Sequence, residues 1–163
     1  MNDLPHVVKQ CKVKQYADDT TLYCSCDDPA SLQCSLVNDV TEVSKWVTRN
    51  RLGINANKSQ MLLLSRRGRA KELEEVKVVL NRQNIPWRSS VQYLGVTVDD
   101  KFSWKEQIAA VRRKCFRGLS QLCKQRDVLP VSTKVKLYNA LVLPHTDYCS
   151  VVWHECVLFN NGK

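Results

Sequence analysis

Asp18 and Asp19 break a stretch that is otherwise suited to extended chain, and that break constrains how the first part of the sequence can fold. Val13, Tyr16, Thr20, Thr21, Leu22 and Tyr23 are β-branched, aromatic or apolar, the types that fill strands, whereas Asp is depleted from strand interiors and common where a chain reverses. The order predicts a β-hairpin with two adjacent carboxylates at its tip. Such a pair makes a place to hold Mg²⁺, a hard ion bound through one or two carboxylates plus substrate phosphates. Enzymes that displace phosphates in line often use two such ions about 3.5–4 Å apart. Asp18 is the better ligand and Asp19 its neighbour in the turn. Taken alone, an Asp-Asp pair more often merely closes a surface hairpin, and it is the flanking residues that favour the metal site.

After the hairpin the periodicity changes. Asp28-Pro29 reads as a cap followed by a first-turn proline, and Leu32, Leu36, Val40, Val43 and Val47 then recur at helical spacing. This predicts an amphipathic helix of about five turns that ends near Gly53 and packs its apolar side on a sheet. Ile54-Asn55-Ala56-Asn57-Lys58 follows as a strand-and-turn stretch, and residues 65–72 as a polar, basic loop. Val76, Val78 and Leu80 with Ile85-Pro86-Trp87 read as a second hairpin across Asn81-Arg82-Gln83-Asn84. Val91, Tyr93 and Val96-Thr97-Val98 read as a third, turning at Asp99-Asp100.

From Trp104 onward the pattern is helical. Trp104, Ile108, Val111, Cys115, Leu119 and Leu122 fall within an arc of about 80° at 100° per residue, so they face a core. Arg113, Arg117 and Lys124 share another side, within about 40° of one another. That stripe suits successive phosphates of a nucleic-acid duplex, contacts that position without reading sequence; it is equally the pattern of a solvated basic face. Leu129-Pro130 starts a further helix toward Leu143, where Pro144 interrupts or restarts it. The expected class is therefore α+β: antiparallel hairpins with a packed helix over residues 1–103, then a helical domain over residues 104–163.

Charge and composition narrow the function classes. The 163 residues are 44% hydrophobic, enough for a core, and 25 Lys plus Arg against 16 Asp plus Glu leave +9, a balance that favours a polyanionic partner. No apolar run reaches the ~18–20 residues that cross a bilayer, and the start has no apolar signal core, so an intracellular protein, nuclear or cytoplasmic, is expected. Cys24, Cys26 and Cys34 fit no four-ligand zinc pattern. His145, Cys149, His154 and Cys156 form a looser group, but Tyr148 and Trp153 interleave there with helical spacing, so packed free thiols are expected rather than zinc or disulfides.

Tyr16-Ala17-Asp18-Asp19-Thr20 resembles the catalytic motif of reverse transcriptases, most closely those of non-LTR (LINE-type) retrotransposons. Other segments match in order. Asn2-Asp3-Leu4-Pro5 resembles the segment before the catalytic hairpin. Trp46, Leu52-Gly53-Ile54-Asn55, Lys58-Ser59 and Met61-Leu62-Leu63-Leu64 resemble the next palm motif. Tyr93-Leu94-Gly95-Val96 with Phe102-Ser103-Trp104 looks like the primer-grip hairpin, and Leu143-Pro144 with Tyr148 and Trp153 like the thumb.

The resemblance implies the later half of a polymerase palm, residues 1–103, followed by a truncated thumb, residues 104–163. It implies a family that copies RNA into DNA from deoxynucleoside triphosphates with Mg²⁺, on an RNA template and a DNA primer. By it, Asp18 and Asp19 are metal-binding catalytic residues, and Tyr93, Leu94 and Gly95 hold the primer end. Lys58 would protonate the departing pyrophosphate or contact the incoming nucleotide's phosphates, although it also reads as a turn lysine in water. Arg113, Arg117 and Lys124 would contact nucleic acid. Asp99-Asp100 matches no acidic catalytic position of the family.

The family's other metal-binding Asp, its Gln-Gly nucleotide pocket and its fingers lie upstream of the matched segments, so little or no polymerase activity is expected from this chain by itself. Together with the departure of residues 157–163 from the family's thumb, this suggests a gene fragment or a degenerate element copy. A palm sheet without its upstream strand leaves an apolar edge, from which self-association by edge pairing is expected. The alternative is a catalytically inactive remnant that binds nucleic acid through its charge.

Overall fold

The computed structural model describes residues 3–26, 28–64, 76–80 and 82–154. Asn2, Asn81, Cys156, the basic loop at 65–72 and the tail at 157–163 lie outside them. The architecture is α+β, as the hydropathy pattern predicts, and it divides into two compact units, Met1–Ser89 and Ser90–Lys163.

The first unit is built on one helix. A short 3₁₀ turn, Leu4–His6, leads into β1 (Lys12–Tyr16) and β2 (Asp19–Tyr23), which pair antiparallel with Tyr16 opposite Asp19 and Lys12 opposite Tyr23. Helix α1 (Pro29–Arg49) starts where the sequence places it: the Asp28 carboxylate accepts from Ser31 N at 2.9 Å and Ser31 Oγ at 2.7 Å. It ends at Arg49, before Gly53, because Arg51 takes the left-handed position that a glycine usually fills, at φ 55°. Leu52 N donates to Val47 O and Arg51 N to Thr48 O, the paired bonds of a Schellman end.

Beyond α1, β3 (Met61–Leu62) pairs parallel with β6 (Trp87–Arg88), and β4 (Val79–Leu80) pairs antiparallel with β5 (Gln83–Asn84). The second hairpin is thus tighter than its hydropathy suggests. Leu80 faces Gln83, so Gln83 and Asn84 are strand residues, and Trp87 pairs with Met61. Two apolar clusters pack on α1: Val40 with Val76, Val78 and Leu80, and Val43 and Trp46 with Leu4. Leu22 of β2 reaches both.

In the second unit β7 (Ser90–Tyr93) and β8 (Val96–Asp99) form an antiparallel hairpin that reverses at Leu94-Gly95, not at Asp99-Asp100. Both turn residues have positive φ, 46° and 80°, the signature of the tightest hairpin turn that matches strand twist. Helix α2 (Lys105–Lys124) follows, then α3 (Val131–Leu141) and α4 (Leu143–Asp147), with Pro144 in the first turn of α4, and residues 150–154 are again helical. Trp104 lies outside α2, at its N-terminal boundary with φ 59°, and Leu119 is exposed although it falls in the apolar arc. Gln107 and Gly118 are buried on that side instead: Gln107 accepts from Thr97 N of β8, and α3 passes so close that a Cβ on Gly118 would sit 2.9 Å from Leu141 O.

Two buried carboxylates tie backbone to these helices. Asp39 of α1, 2% exposed, accepts from the backbone N–H groups of Lys9 (3.1 Å), Gln10 (2.8 Å) and Cys11 (2.6 Å). Asp99, 8% exposed, accepts from Lys101 N, Ser103 N, Trp104 N and Ser103 Oγ, so it joins β8 to the start of α2. Burial alone would push each carboxyl up, but the backbone donors outweigh it and hold both below the ordinary Asp value of 3.8. Their contribution is complete above that value and is lost as the pH falls past it toward the lower folded values. We therefore expect urea stability to drop steeply on acidification below about pH 4, and the Asp39→Asn variant, destabilised by about 2 kcal/mol at pH 7, to show a flatter acid limb.

Candidate active site

The paired aspartates sit where the strand pattern predicts. Ala17 and Asp18 are the two turn residues, and Asp19 is the first residue of β2, opposite Tyr16. Residues 16–20 are all exposed, so both carboxylates are open to a ligand from solvent. Neither takes part in an ion pair among the described residues. Ala17 has φ 55° while Asp18 does not have positive φ, the pattern of a two-residue turn whose first position normally belongs to glycine. An L side chain there costs about 1–2 kcal/mol.

What holds this strained tip lies at its base. The three N–H groups bound by Asp39 belong to the residues leading into β1, and Leu22 anchors β2 in the core on α1. Cys11, buried beside them, donates its thiol to Ser35 O at 3.8 Å. Burial, and then the neighbouring Cys24 thiol, push the Cys11 thiol up, so it stays protonated and is a poor metal ligand.

Lys58 lies in an exposed turn whose shape comes from Asn55. The Asn55 side-chain oxygen accepts from Asn57 N at 3.1 Å and Lys58 N at 3.3 Å, and its carbonyl accepts from Lys58 N and Ser59 Oγ. Gly53, Ile54, Asn55, Ala56, Asn57 and Gln83 line a shallow depression of about 470 Å³ beside this turn. No hydrogen bond or ion pair among the described residues links Lys58 to Asp18 or Asp19.

In the second unit Tyr93 and Gly95 are exposed and Leu94 is half-buried at the β7–β8 turn. Arg113, Arg117 and Lys124 all lie exposed on α2, so the stripe seen in the sequence is a real open face. Arg112 extends the positive surface and stacks over Phe116 at 5.5 Å. Among the described residues no group of three or more His, Cys, Asp or Glu side chains could hold a metal ion. The loose Cys/His group is not built as packed thiols: Cys149 is exposed at φ 51°, between α4 and the helical residues 150–154, which interrupts the helical spacing of Tyr148 and Trp153, and Cys156 lies outside the described residues.

The model of the family described as reverse transcriptase (RNA-dependent DNA polymerase) matches residues 1–98, more than half of the chain. The chain belongs to that family. No curated protein and no solved structure gives a significant match. The matched segment contains the Asp18-Asp19 hairpin, the Lys58 turn and the Leu94-Gly95 turn. RNA, DNA and nucleotides are therefore the partners of the family to which the chain belongs. No helix among the described residues is long and apolar enough to cross a membrane.

Sequence reasoning missed the residues that position this reverse-transcriptase segment. Asp39 had a readable signal: at 100° per residue it projects about 60° from Leu36, which puts a charge on the apolar side of α1. A carboxylate there demands buried donors. Gln107 had the same signal, about 40° from Val111, and its Oε1 accepts from Thr97 N at 2.9 Å. The positive φ of Ala17 had none, since alanine is not a turn residue by type. Stability in urea should follow the order Ala17→Gly, then Ala17, then Ala17→Val. Valine should cost about 1–2 kcal/mol, because a β-branched side chain tolerates the left-handed region least.

Proposed function

We propose that residues 1–103 are the later part of the palm, and residues 104–163 the thumb, of a non-LTR retrotransposon reverse transcriptase that extends a DNA primer on an RNA template. The observation that carries this reading is the exposed Asp18-Asp19 pair at a strained hairpin tip held from its base, within the segment that matches the family. The ordered likeness of the Lys58, Tyr93-Leu94-Gly95 and Leu143-Pro144 segments to the same enzymes supports the subtype.

Two exposed carboxylates fit Mg²⁺, which binds few protein oxygens and completes its shell with water and phosphate. Asp18 and Asp19 would hold it, and bound there it would neutralise the charge that builds on the reacting phosphate. The exposed Lys58 ammonium would give a proton to the departing pyrophosphate. Tyr93, Leu94 and Gly95 would keep the primer end in place, and Arg113, Arg117 and Lys124 would bear on duplex phosphates. The lack of a third carboxylate beside the pair among the described residues favours a second reading, in which the chain binds nucleic acid without catalysis.

Primer extension on an RNA template with Mg²⁺ and four deoxynucleotides separates the two when run beside Asp18→Ala. Synthesis that vanishes in the variant supports the first reading. Template–primer binding without synthesis moves the chain to the second, and neither binding nor synthesis overturns both. Binding itself should weaken linearly with log salt, and Arg113→Ala with Arg117→Ala should lower that slope by about 2.

A further inference from the structure

Residues that follow α4 touch the Leu94-Gly95 turn. The Tyr148 hydroxyl donates to Leu94 O at 2.6 Å, and its ring lies against Gly95, where an added Cβ would sit 3.4 Å from the ring edge and 3.5 Å from the hydroxyl oxygen. Tyr148 is itself fixed. Its N–H donates to Pro144 O at the end of α4, and its carbonyl accepts from Trp153 Nε1 at 3.2 Å. Trp153 is buried against Val96, the residue that follows the turn. One short stretch of chain therefore grips the turn on both sides, at Leu94 and at Val96.

The turn needs such a grip. Leu94 has positive φ, which a branched side chain adopts at a cost of about 1–2 kcal/mol, and Gly95 presents no side chain of its own to hold the loop. A backbone that is to hold the end of a strand must keep its place to a fraction of an ångström. A hydrogen bond from a half-exposed phenol adds little to global stability but fixes where the Leu94 carbonyl points.

We propose that Tyr148 is a positioning residue for the Leu94-Gly95 turn, and that through it the chain favours the recessed 3′ end of a primer over uninterrupted duplex. The proposal rests on the reading of Tyr93-Leu94-Gly95 as the primer-holding turn. Glycine stands at 95 because the turn holds its backbone at φ 80°, which L side chains rarely adopt, and the Tyr148 ring packs at ordinary contact distance from where a Cβ would sit.

Fluorescence anisotropy tests it with two probes of equal length, an RNA template carrying a recessed DNA primer and a blunt RNA–DNA duplex. The wild-type chain should bind the recessed probe more tightly. Tyr148→Phe should reduce that affinity roughly 2- to 10-fold, the range of one neutral hydrogen bond, with unchanged blunt-duplex affinity and melting temperature. A folded Tyr148→Phe variant that keeps the full preference overturns the proposal and leaves the primer-holding reading standing. A wild-type chain without any preference overturns that reading and the proposal with it. Should Tyr148→Phe melt early and lose both affinities, the same two probes are measured below its melting temperature with a stabilising osmolyte present: selective loss of the preference there supports the proposal, and full retention overturns it.

Discussion

Three backbone N–H groups converging on one carboxylate fix where the first hairpin leaves helix α1. Lys9, Gln10 and Cys11 precede the paired residues of β1, and a buried donor such as the Cys11 N–H costs about 1–3 kcal/mol if left unpaired. Asp39 satisfies all three from the middle of α1. The helix therefore does more than cover the sheet: it fixes where the hairpin begins, and a two-residue turn then leaves no freedom in where its tip falls. Asp99 repeats the device in the second unit, where one carboxylate gathers the N–H groups between β8 and α2.

The elements with a strong period were legible in the sequence, and so was the class. The first hairpin, the long helix from its Asp28 cap, the helix after Trp104 and the restart at Pro144 all stand at or near their expected positions, since apolar spacing and capping chemistry act locally. Chain reversals were less legible. The third hairpin turns at Leu94-Gly95 although leucine is a poor turn residue, and α1 closes on Arg51 although Gly53 lies just beyond. In each case contacts distant in sequence override local preference: Tyr148 secures one turn, and the core on α1 takes up Ile54 after the other.

For the candidate site the same division holds. The candidate residues Asp18, Asp19, Lys58 and the cations of α2 were readable as exposed charges, because turn chemistry and helical spacing place them on the surface. Residues that aim them were not, because Asp39, Gln107 and Tyr148 act through backbone atoms, which carry no side-chain pattern. Only a polar residue on an apolar helical face betrays such a role beforehand, and Tyr148 lacks even that.

Like charges on adjacent residues repel, and among the described residues neither Asp18 nor Asp19 forms an ion pair. The tip also carries the left-handed Ala17 and exposes Tyr16, so it contributes nothing to its own stability. A hairpin with an unfavourable tip forms only if its base supplies the difference, and two-stranded hairpins alone are marginal in water. Here the base does so through the Asp39 bonds and the burial of Leu22, both on α1. Stabilisation thus sits at the base of the hairpin and strain at its tip, which leaves the two exposed carboxylates held in place by contacts that they do not themselves make.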